Sequence, residues 1–193
     1  MVEIAIPTTG SIHYETVWKL LKLRENEGVT FQISKNTEGA GANRNLIVKN
    51  FLLGDAEYLL MIDDDVVVPN IDIKRLITLD KDVLGLPCPI DMGKGLTLDY
   101  YWNVFAAPET ITKAFGEGLK KVFAVGMGCA FIKRAVLEKI KNPFAPIRAE
   151  NDEVVKAEDY AFCERANNAG FEVWVDWESP CGHYKNTNIL NFL

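Results

Sequence analysis

The sequence predicts one α/β domain with an open, mostly parallel sheet flanked by helices and a small insertion of short strands. Strand-like runs rich in β-branched residues alternate with segments whose apolar residues recur at helical spacing. One of those runs, residues 58–62, is apolar throughout, which is typical of a strand buried on both faces of a parallel sheet. The length of 193 residues, with 48% hydrophobic and 25% charged residues, fits a single globular domain over residues 1–193.

Residues 1–86 hold four predicted strands and three predicted helices. The strands are expected at 2–7, 29–34, 58–62 and 82–86. The helices are expected at 12–26, 42–53 and 71–79. Gly54 ends the second helix, and Asn70 is placed to cap the third.

Residues 87–193 are less regular. The stretch 87–118 holds three prolines, five aromatic residues and four glycines without a clean period, which predicts an insertion of short strands and loops. Further strands are expected at 122–125 and 171–176, helices at 134–140 and 155–169, a loop at 142–153 and an irregular tail at 177–193. Ligands of such sheets bind beyond the carboxyl ends of the strands, so the residues that follow each strand are the first candidates for a site.

Composition and charge exclude several classes of protein. A net charge of −6 argues against a nucleic-acid binder that depends on a basic face. The longest apolar run, residues 122–132, contains two glycines and is shorter than the roughly 20 residues of a membrane-spanning helix. The first residues carry no basic region before an apolar core, so no signal peptide is predicted. We therefore expect no integral membrane segment and a cytoplasmic protein, with peripheral membrane association left open.

The cysteine pattern argues against a structural zinc site. The chain has four widely spaced cysteines with no CxxC pair, and only two histidines. The cysteines are Cys88, Cys129, Cys163 and Cys181. Free thiols in a reducing compartment are expected.

Three consecutive carboxylates follow the apolar third strand. Asp63, Asp64 and Asp65 are bounded by five apolar residues before them and three valines after them. Because side chains alternate along an extended chain, Asp63 and Asp65 are expected on one side and Asp64 on the other. Carboxylates held between apolar runs need a cation to offset their repulsion, and Mg²⁺ or Mn²⁺ fits best. The alternative is a solvated turn with Asp65 near a helix cap.

Three other segments follow predicted strands and have open interpretations. The turn at residues 7–10, Pro-Thr-Thr-Gly, has hydroxyls and free backbone N–H groups that could hold a nucleotide or phosphate. Arg44, in the first turn of a predicted helix, opposes the helix dipole and predicts a compensating anion, either a ligand phosphate or an internal carboxylate. Gly126 and Gly128 permit close approach of either a substrate or a neighbouring strand.

A carboxylate begins the otherwise apolar face of the helix predicted at 155–169. Asp159 shares that face with Phe162, Cys163 and Ala166, whereas Glu158 points elsewhere. A partly buried carboxylate has a raised pKa, which suits a general base. The alternative is that acidic residues simply favour the first turn of a helix.

These motifs, in this order, resemble those of a family-2-type glycosyltransferase with the GT-A fold, a small, soluble, single-domain member. The resemblance extends from the first strand to His183. It consists of Pro7-Thr8, Ala42-Asn43-Arg44-Asn45, Met61 to Asp65 as the D-x-D motif, Gly126-x-Gly128 ahead of residues 131–134, Glu158-Asp159, Ala169-Gly170-Phe171, and His183 about two dozen residues after the acidic pair. It implies a Rossmann-like sheet with a nucleotide-binding half, residues 1–86, and an acceptor-side half, residues 87–193.

The resemblance implies a role for each matched residue. Asp65 would ligate Mn²⁺ or Mg²⁺, with His183 as a further metal ligand. Asp63 would contact the ribose or help hold the metal. Asp159 would be the base that takes the proton from the acceptor hydroxyl. The remaining donor-side residues are Pro7, Thr8, Arg44 and Asp64, and those on the acceptor side are Gly128, Glu158 and Trp102.

The implied reaction is the metal-dependent transfer of a sugar from a UDP- or GDP-sugar to a hydroxyl of a glycan, lipid-linked or protein acceptor, with inversion. A nucleotidyltransferase is one alternative, but residues 7–10 lack the basic phosphate loop that it needs. A non-catalytic nucleotide- or sugar-binding module is another, but it would not need Asp159. The insertion's aromatic residues either stack on sugar rings or pack a small subcore. They include Tyr100, Tyr101, Trp102 and Phe105.

Overall fold

The computed structural model describes residues 1–69, 71–92 and 99–184. The helices are α1 Tyr14–Leu23, α2 Ala40–Phe51, α3 Ile73–Leu79, α4 Arg134–Lys139 and α5 Glu158–Asn168. The strands are β1 Val2–Thr8, β2 Val29–Lys35, β3 Tyr58–Ile62, β4 Val66–Val67, β5 Val83–Gly85, β6 Pro89–Asp91, β7 Tyr100–Ala107, β8 Thr110–Thr112, β9 Leu119–Val122, β10 Ala124–Val125, β11 Cys129–Lys133, β12 Ile147–Arg148, β13 Val154–Lys156, β14 Val173–Asp176 and β15 Gly182–His183.

The central sheet confirms the predicted fold class. Within the described residues it has seven strands in the order β2-β1-β3-β11-β5-β14-β9. The pairings place β1, β2, β3, β5 and β14 in one direction, with β11 and β9 running against them. The carboxyl ends of β1, β2 and β3 therefore meet at one edge, where the three aspartates follow β3.

Strand β11 was not predicted; it lies antiparallel between β3 and β5. Its residues belong to an apolar run, and Gly126 and Gly128, which form the turn before it, were interpreted only as points of close approach. The strand predicted at 122–125 is itself divided, because β9 ends at Val122 in the central sheet and β10 pairs with β7 in a second sheet. Periodicity cannot separate adjacent buried strands of one apolar run.

The core fills both faces of the central sheet. Along β3, Leu59 and Met61 pack on one face and Leu60 and Ile62 on the other, all fully buried. The first face is covered by α2, α4 and α5, and the second by α1 and α3. This arrangement agrees with the prediction that an all-apolar strand is buried on both sides.

The predicted insertion contributes β6, β7 and β8 to a small second sheet, which β10 joins from outside the insertion. Other expectations for the second half need correction. The helix expected at 155–169 begins at Glu158, because residues 154–156 form β13 and pair with β12 in the segment expected to be a loop. The tail expected to be irregular contains β15, which pairs with β4 directly after the aspartates.

Several local expectations have clear outcomes. Asp72 caps α3, with its side chain accepting a hydrogen bond from the Arg75 backbone N–H, whereas the predicted cap Asn70 lies outside the described residues. The four cysteines are buried free thiols, as expected. No helix in the described part of the chain is long and apolar enough to cross a membrane.

A buried ion pair beneath the sheet edge gives a first testable prediction. The fully buried Asp176 accepts hydrogen bonds from both terminal nitrogens of Arg75, and from Ser179 Oγ at 2.8 Å. Burial alone would raise the pKa of Asp176, but these donors outweigh it and lower the pKa. We expect Asp176→Asn to reduce the free energy of unfolding by about 1–3 kcal/mol at neutral pH, because the donors lose a charged acceptor.

The lowered pKa also fixes the direction of the pH effect. The contribution of Asp176 is fully present above the ordinary carboxyl pKa and is lost as the pH falls through the lowered value of the folded state. Urea unfolding of the wild type and the Asn variant should therefore differ most near neutral pH and converge in strong acid. A constant difference across the acidic range would contradict this assignment.

Candidate active site

A cleft of about 210 Å³ lies at the carboxyl ends of β1, β2 and β3; we call it the first cleft. Its lining residues come from three chain segments that follow these strands. They are Pro7, Thr8, Thr9, Asn36, Gly39, Ala40, Asn43, Arg44, Asp63, Asp64 and Asp65. The donor-side residues expected from the sequence therefore line one cavity, at the sheet edge where such folds bind ligands.

The turn after β1 is shaped by the buried hydroxyl of Thr8. Its Oγ1 donates to the Ser11 carbonyl at 3.1 Å and accepts from the Gly10 N–H at 3.0 Å. On the far side of the cleft, Asn43 Nδ2 donates to the carbonyls of Thr8 and Ser34 and joins α2 to the ends of β1 and β2. Both walls are thus fixed by the protein's own hydrogen bonds.

Arg44 is the buried centre of an ion-pair network. Its Nη2 contacts both carboxylate oxygens of Asp63, at 2.7 and 2.8 Å, and its Nη1 contacts Glu158 Oε1 at 2.6 Å. The side chain is only 6% exposed. The sequence left open whether the anion beside Arg44 is a ligand phosphate or an internal carboxylate. The structure places two internal carboxylates there.

The network depends on a close approach of α2 to α5. A Cβ atom on Gly41 would clash with the Phe144 carbonyl oxygen and would lie 3.2 Å from Glu158 Cβ, so a larger residue would push α2 away from the segment at Phe144 and crowd the start of α5. Arg44 Nε and Asn43 Oδ1 are buried without a hydrogen-bond partner in the described part of the chain. In the wall of the first cleft, Arg44 Nε can therefore still donate a hydrogen bond and Asn43 Oδ1 can still accept one.

Asp63 and Glu158 are both committed to Arg44. Burial raises the pKa of the Asp63 carboxyl, and the neighbouring guanidinium opposes that shift. With both carboxylate oxygens on Arg44, Asp63 orients the start of the segment Asp63–Asp65, which we call the aspartate loop. Glu158 was assigned to the acceptor side, but the structure places its carboxylate on this network beside the first cleft.

Asp65 faces His183, which the structure brings in from the end of the described chain. The pairing of β15 with β4 sets His183 opposite Val66, directly after the aspartates. His183 Nδ1 lies 2.9 Å from the Pro89 carbonyl oxygen, and Nε2 lies 3.2 Å from Asp65 Oδ2. Because a carbonyl only accepts, Nδ1 must carry a proton, and Nε2 is the nitrogen presented to Asp65.

The chemistry of this pair fits a divalent cation with two protein ligands. Two ligand atoms at adjacent positions around an ion with bonds of about 2.1 Å lie roughly 3 Å apart, close to the observed separation. No group of three or more Asp, Glu, His or Cys side chains converges as a metal site among the described residues. Such an ion would take its other ligands from water and a bound phosphate, as Mg²⁺ commonly does. A protonated His183 paired with Asp65 would give the same distance.

His183 is held in place by its neighbour Tyr184. The Tyr184 N–H donates to the Asp65 carbonyl, and its ring stacks on His13 with centroids 3.6 Å apart. The Tyr184 hydroxyl donates to Glu15 Oε2 at 2.6 Å, and the His13 N–H donates to the Asp64 carbonyl. The start of α1 and the end of β15 therefore clamp the aspartate loop from two sides. Neither His13 nor Tyr184 was predicted as a site residue, because the β15–β4 pairing that brings Tyr184 to His13 is not visible in the sequence.

Asp159 lines a second cleft of about 640 Å³ and directly follows Glu158, which pairs with Arg44. The walls of this second cleft are largely apolar and include Ile90, Met92, Phe105, Ile111, Val155 and Tyr160. Asp159 Oδ1 accepts from the Tyr160 N–H at 2.7 Å. Burial raises the pKa of Asp159, and the charge of Glu158 raises it further. A carboxylate with a raised pKa at the wall of an apolar cleft can accept a proton from a bound hydroxyl.

The remaining acceptor-side residues, Gly128 and Trp102, and the nearby Gly126 make contacts within the protein. A Cβ atom on Gly126 would lie 2.8 Å from Asn103 Nδ2, so this glycine admits the neighbouring strand β7, and it also lines the second cleft. The Gly128 carbonyl accepts from the Asp63 N–H and fixes the start of the aspartate loop. Trp102 is 5% exposed and packs edge-on against Phe115 and Trp177, which favours the subcore alternative for this residue. Phe105, by contrast, lines the second cleft.

No protein-family model and no curated protein matches this chain. Among solved structures, "A197 from STIV" covers 95% of this chain and 85% of its own length, with 22% identity and a TM-score of 0.69. TarS residues 1–349 from S. aureus, solved with UDP-GlcNAc, covers 93% of this chain with 15% identity and a TM-score of 0.50. GalNAc-T7, solved with UDP, GalNAc and Mn²⁺, covers 96% with 11% identity and a TM-score of 0.56.

The extent of these similarities limits them to architecture. The chain spans 57% of the TarS structure's length and 43% of that of GalNAc-T7, and all identities are below 25%. The agreement nonetheless covers 93–96% of this chain. The chain therefore has the GT-A-like fold of glycosyltransferases.

Proposed function

We propose that this chain is a metal-dependent glycosyltransferase of the hexosyltransferase type. It transfers a sugar from a nucleoside-diphosphate donor to an acceptor hydroxyl with inversion. The observation that carries the proposal is the position of the two carboxylate groups. The aspartates line the first cleft and Asp159 lines the second, with the buried Arg44 network linking the two chain segments. A donor in the first cleft would present its sugar toward the second.

The first cleft needs a cation to accept a diphosphate. Arg44 is its buried cation, and two carboxylates already compensate it. Asp64 and Asp65 add further negative charge to the same cavity. Asp65 and His183 would hold Mn²⁺ or Mg²⁺, which would stabilise the negative charge that develops on the leaving nucleoside diphosphate.

Asp159 is the proposed base. An acceptor in the second cleft would place its hydroxyl at this carboxylate, which takes the proton as the oxygen attacks the anomeric carbon. Asp159 and Asp65 lie on different elements and in different cavities, and in the proposed complex the base and the leaving group would lie on opposite sides of the sugar. Direct displacement in that arrangement inverts the anomeric configuration. A half-buried carboxylate with a raised pKa also favours catalysis over a purely binding module.

UDP-sugars are the first donors to test, with GDP-sugars next. Two of the similar structures contain UDP or a UDP-sugar, and one of them also contains Mn²⁺. The acceptor is a hydroxyl of a glycan, a lipid-linked molecule or a protein.

The proposal is tested by donor turnover. Wild-type protein is incubated with a panel of UDP- and GDP-sugars, with Mn²⁺ or with chelator, and release of the diphosphate is measured. We expect release from one donor, dependent on the metal, and an inverted sugar product by NMR. Glu57→Gln changes an exposed carboxylate directly before β3, at the opposite end of that strand from the aspartates; it is the matched control and should behave as the wild type. Release that is indifferent to chelator, or a retained configuration, would contradict the proposal.

A further prediction concerns the clamp at His183. Tyr184→Phe removes the hydroxyl that donates to Glu15 but keeps the ring that stacks on His13. We expect Mn²⁺ affinity in the presence of UDP to fall about three- to tenfold, because the loss of one charge-assisted hydrogen bond loosens His183. Manganese titration by electron paramagnetic resonance measures this. Tyr100→Phe serves as the control, and equal affinities for the two variants would show that the clamp does not position the site.

A further inference from the structure

Helix α1 and the edge strand β2 carry an unusual exposed apolar surface. Tyr14, Trp18 and Leu21 are 70%, 62% and 53% exposed, and Ile33 on β2 is 63% exposed. Val17 lies between them, and we call these five residues the α1 face. Exposed large apolar residues occur singly on many proteins, but a contiguous group of this kind marks an interaction surface.

The α1 face is distinct from the side of α1 that packs on the core. Thr16, Leu20 and Leu23 are buried against the sheet, whereas the residues at 14, 17, 18 and 21 recur at i, i+3, i+4 and i+7. The helix thus has one apolar stripe for folding and a second stripe that the fold does not use. Shallow concavities lie on both sides of the second stripe, one along α1 and one toward β2.

Cations border this stripe. Lys19, Lys22 and Arg24 lie within α1 and its C-cap, and Lys22 Nζ is 5.9 Å from the centre of the Trp18 ring. The helix has one acid, Glu15, which accepts hydrogen bonds from the Tyr14 and Tyr184 hydroxyls. Glu25 and Glu27 follow in the turn beyond the helix. The segment 14–24 has a local excess of positive charge in a chain whose net charge is −6.

We propose that the α1 face docks the protein on the surface of an anionic lipid bilayer. Trp and Tyr rings with Leu side chains enter the interfacial region of a bilayer, while Lys and Arg beside them reach the headgroups. Basic residues at such a surface gain attraction from anionic lipid, which the overall charge of this chain would otherwise oppose. The five side chains expose on the order of 500 Å², below the roughly 800 Å² per partner of a stable protein interface.

Docking in this way would bring the first cleft close to the membrane. The His13 N–H, at the start of α1, donates to the Asp64 carbonyl in the aspartate loop. A ten-residue helix is about 15 Å long, so the cleft lies within one helix length of the docked face. Given the proposed transfer, the acceptor hydroxyl would be carried by a lipid or by another molecule held at the same surface. The binding itself does not depend on that activity.

The test is co-sedimentation of the full chain with vesicles. Phosphatidylcholine vesicles are compared with vesicles that also contain phosphatidylglycerol, at low and high salt. We expect binding to the anionic vesicles that weakens with salt. The double variant Trp18→Ser/Leu21→Ser should lose at least tenfold in affinity, and Lys22→Glu should weaken binding to the anionic vesicles. Leu53→Ser, at a site 83% exposed beyond α2, is the matched control and should bind as the wild type.

Three results would overturn the inference. One is that the wild type does not bind anionic vesicles at low salt. Another is that the double variant binds as well as the wild type while its urea unfolding is unchanged. A third is that light scattering finds a dimer that the double variant dissociates, with no vesicle binding, which would assign the α1 face to a second copy of this chain. Because neither variant is in the two clefts, diphosphate release can be measured separately and distinguishes failure of this inference from failure of the proposed function.

Discussion

Asp159→Asn is expected to lower the rate of sugar transfer by about 10²–10⁴-fold while nucleotide binding stays as in the wild type. The asparagine keeps the shape of the side chain and can still accept the hydrogen bond from the Tyr160 N–H. It cannot take a proton from the acceptor hydroxyl. Single-turnover assays at saturating donor measure the chemical step, and calorimetry with UDP and Mn²⁺ measures binding.

The neighbouring acid provides the control for this result. Glu158→Gln changes an adjacent carboxylate that pairs with Arg44 and does not line the second cleft. Glu158→Gln should lower the stability of the fold more than the rate of sugar transfer. The two variants should therefore differ in rate in the single-turnover assay. Equal loss of rate in both variants, or an unchanged rate in Asp159→Asn, would contradict the assignment of the base.

The pH dependence of transfer should follow the raised pKa of Asp159. A base acts only when deprotonated, so the rate should fall as the pH drops through its pKa. Burial and the charge of Glu158 raise that pKa, which moves the acid limb of the profile above the range of an ordinary aspartate. The remaining activity of Asp159→Asn should lack this limb.

Arg44→Met is expected to destabilise the fold by about 3–5 kcal/mol, the largest effect on stability that we anticipate from a single substitution here. It leaves the carboxylates of Asp63 and Glu158 partly buried and without their shared cation. Urea unfolding at neutral pH measures the loss. Arg44→Lys should recover only part of it, because an ammonium group cannot reproduce the forked contacts to two carboxylates.

An exposed ion pair provides the matched control. Arg148 Nη1 lies 3.5 Å from Asp152 Oδ1, and both side chains are exposed. Arg148→Met should change the free energy of unfolding by less than about 1 kcal/mol. If Arg44→Met proves as mild as this control, the buried network does not hold α2, β3 and α5 together. If Arg44→Met/Glu158→Gln is more stable than Arg44→Met alone, the cost arises from the uncompensated charge.

The predictable parts of the fold are those set by local pattern. The apolar run of β3 and the helical spacing of Phe162, Cys163 and Ala166 specify burial with little help from the rest of the chain. The three aspartates could be placed at a sheet edge because they end such a strand. The missed strand β11 depends instead on non-local pairing, since only contacts with β3 and β5 distinguish it within its apolar run.

In the candidate site, too, the features set by local sequence could be predicted and those set by contacts between distant segments could not. From the residues alone, Arg44 required an anion but could not reveal which one, because Asp63 and Glu158 reach it from distant parts of the chain. His183 carries no local signal, and its position beside Asp65 depends on the pairing of β15 with β4. The sequence was equally compatible with Trp102 stacking on a sugar ring and with Trp102 packing in a small subcore. Its burial against Phe115 and Trp177 is a property of the second sheet.

The most direct test of the account is nucleotide binding by calorimetry, with UDP, GDP, CDP and dTDP, each with and without Mn²⁺. We predict that the wild type binds one of these diphosphates only when the metal is present, and that Asp65→Asn loses this binding while its unfolding free energy is nearly unchanged. Failure of all four nucleotides to bind with Mn²⁺, or binding that is indifferent to both the metal and Asp65, would contradict a donor site at the first cleft.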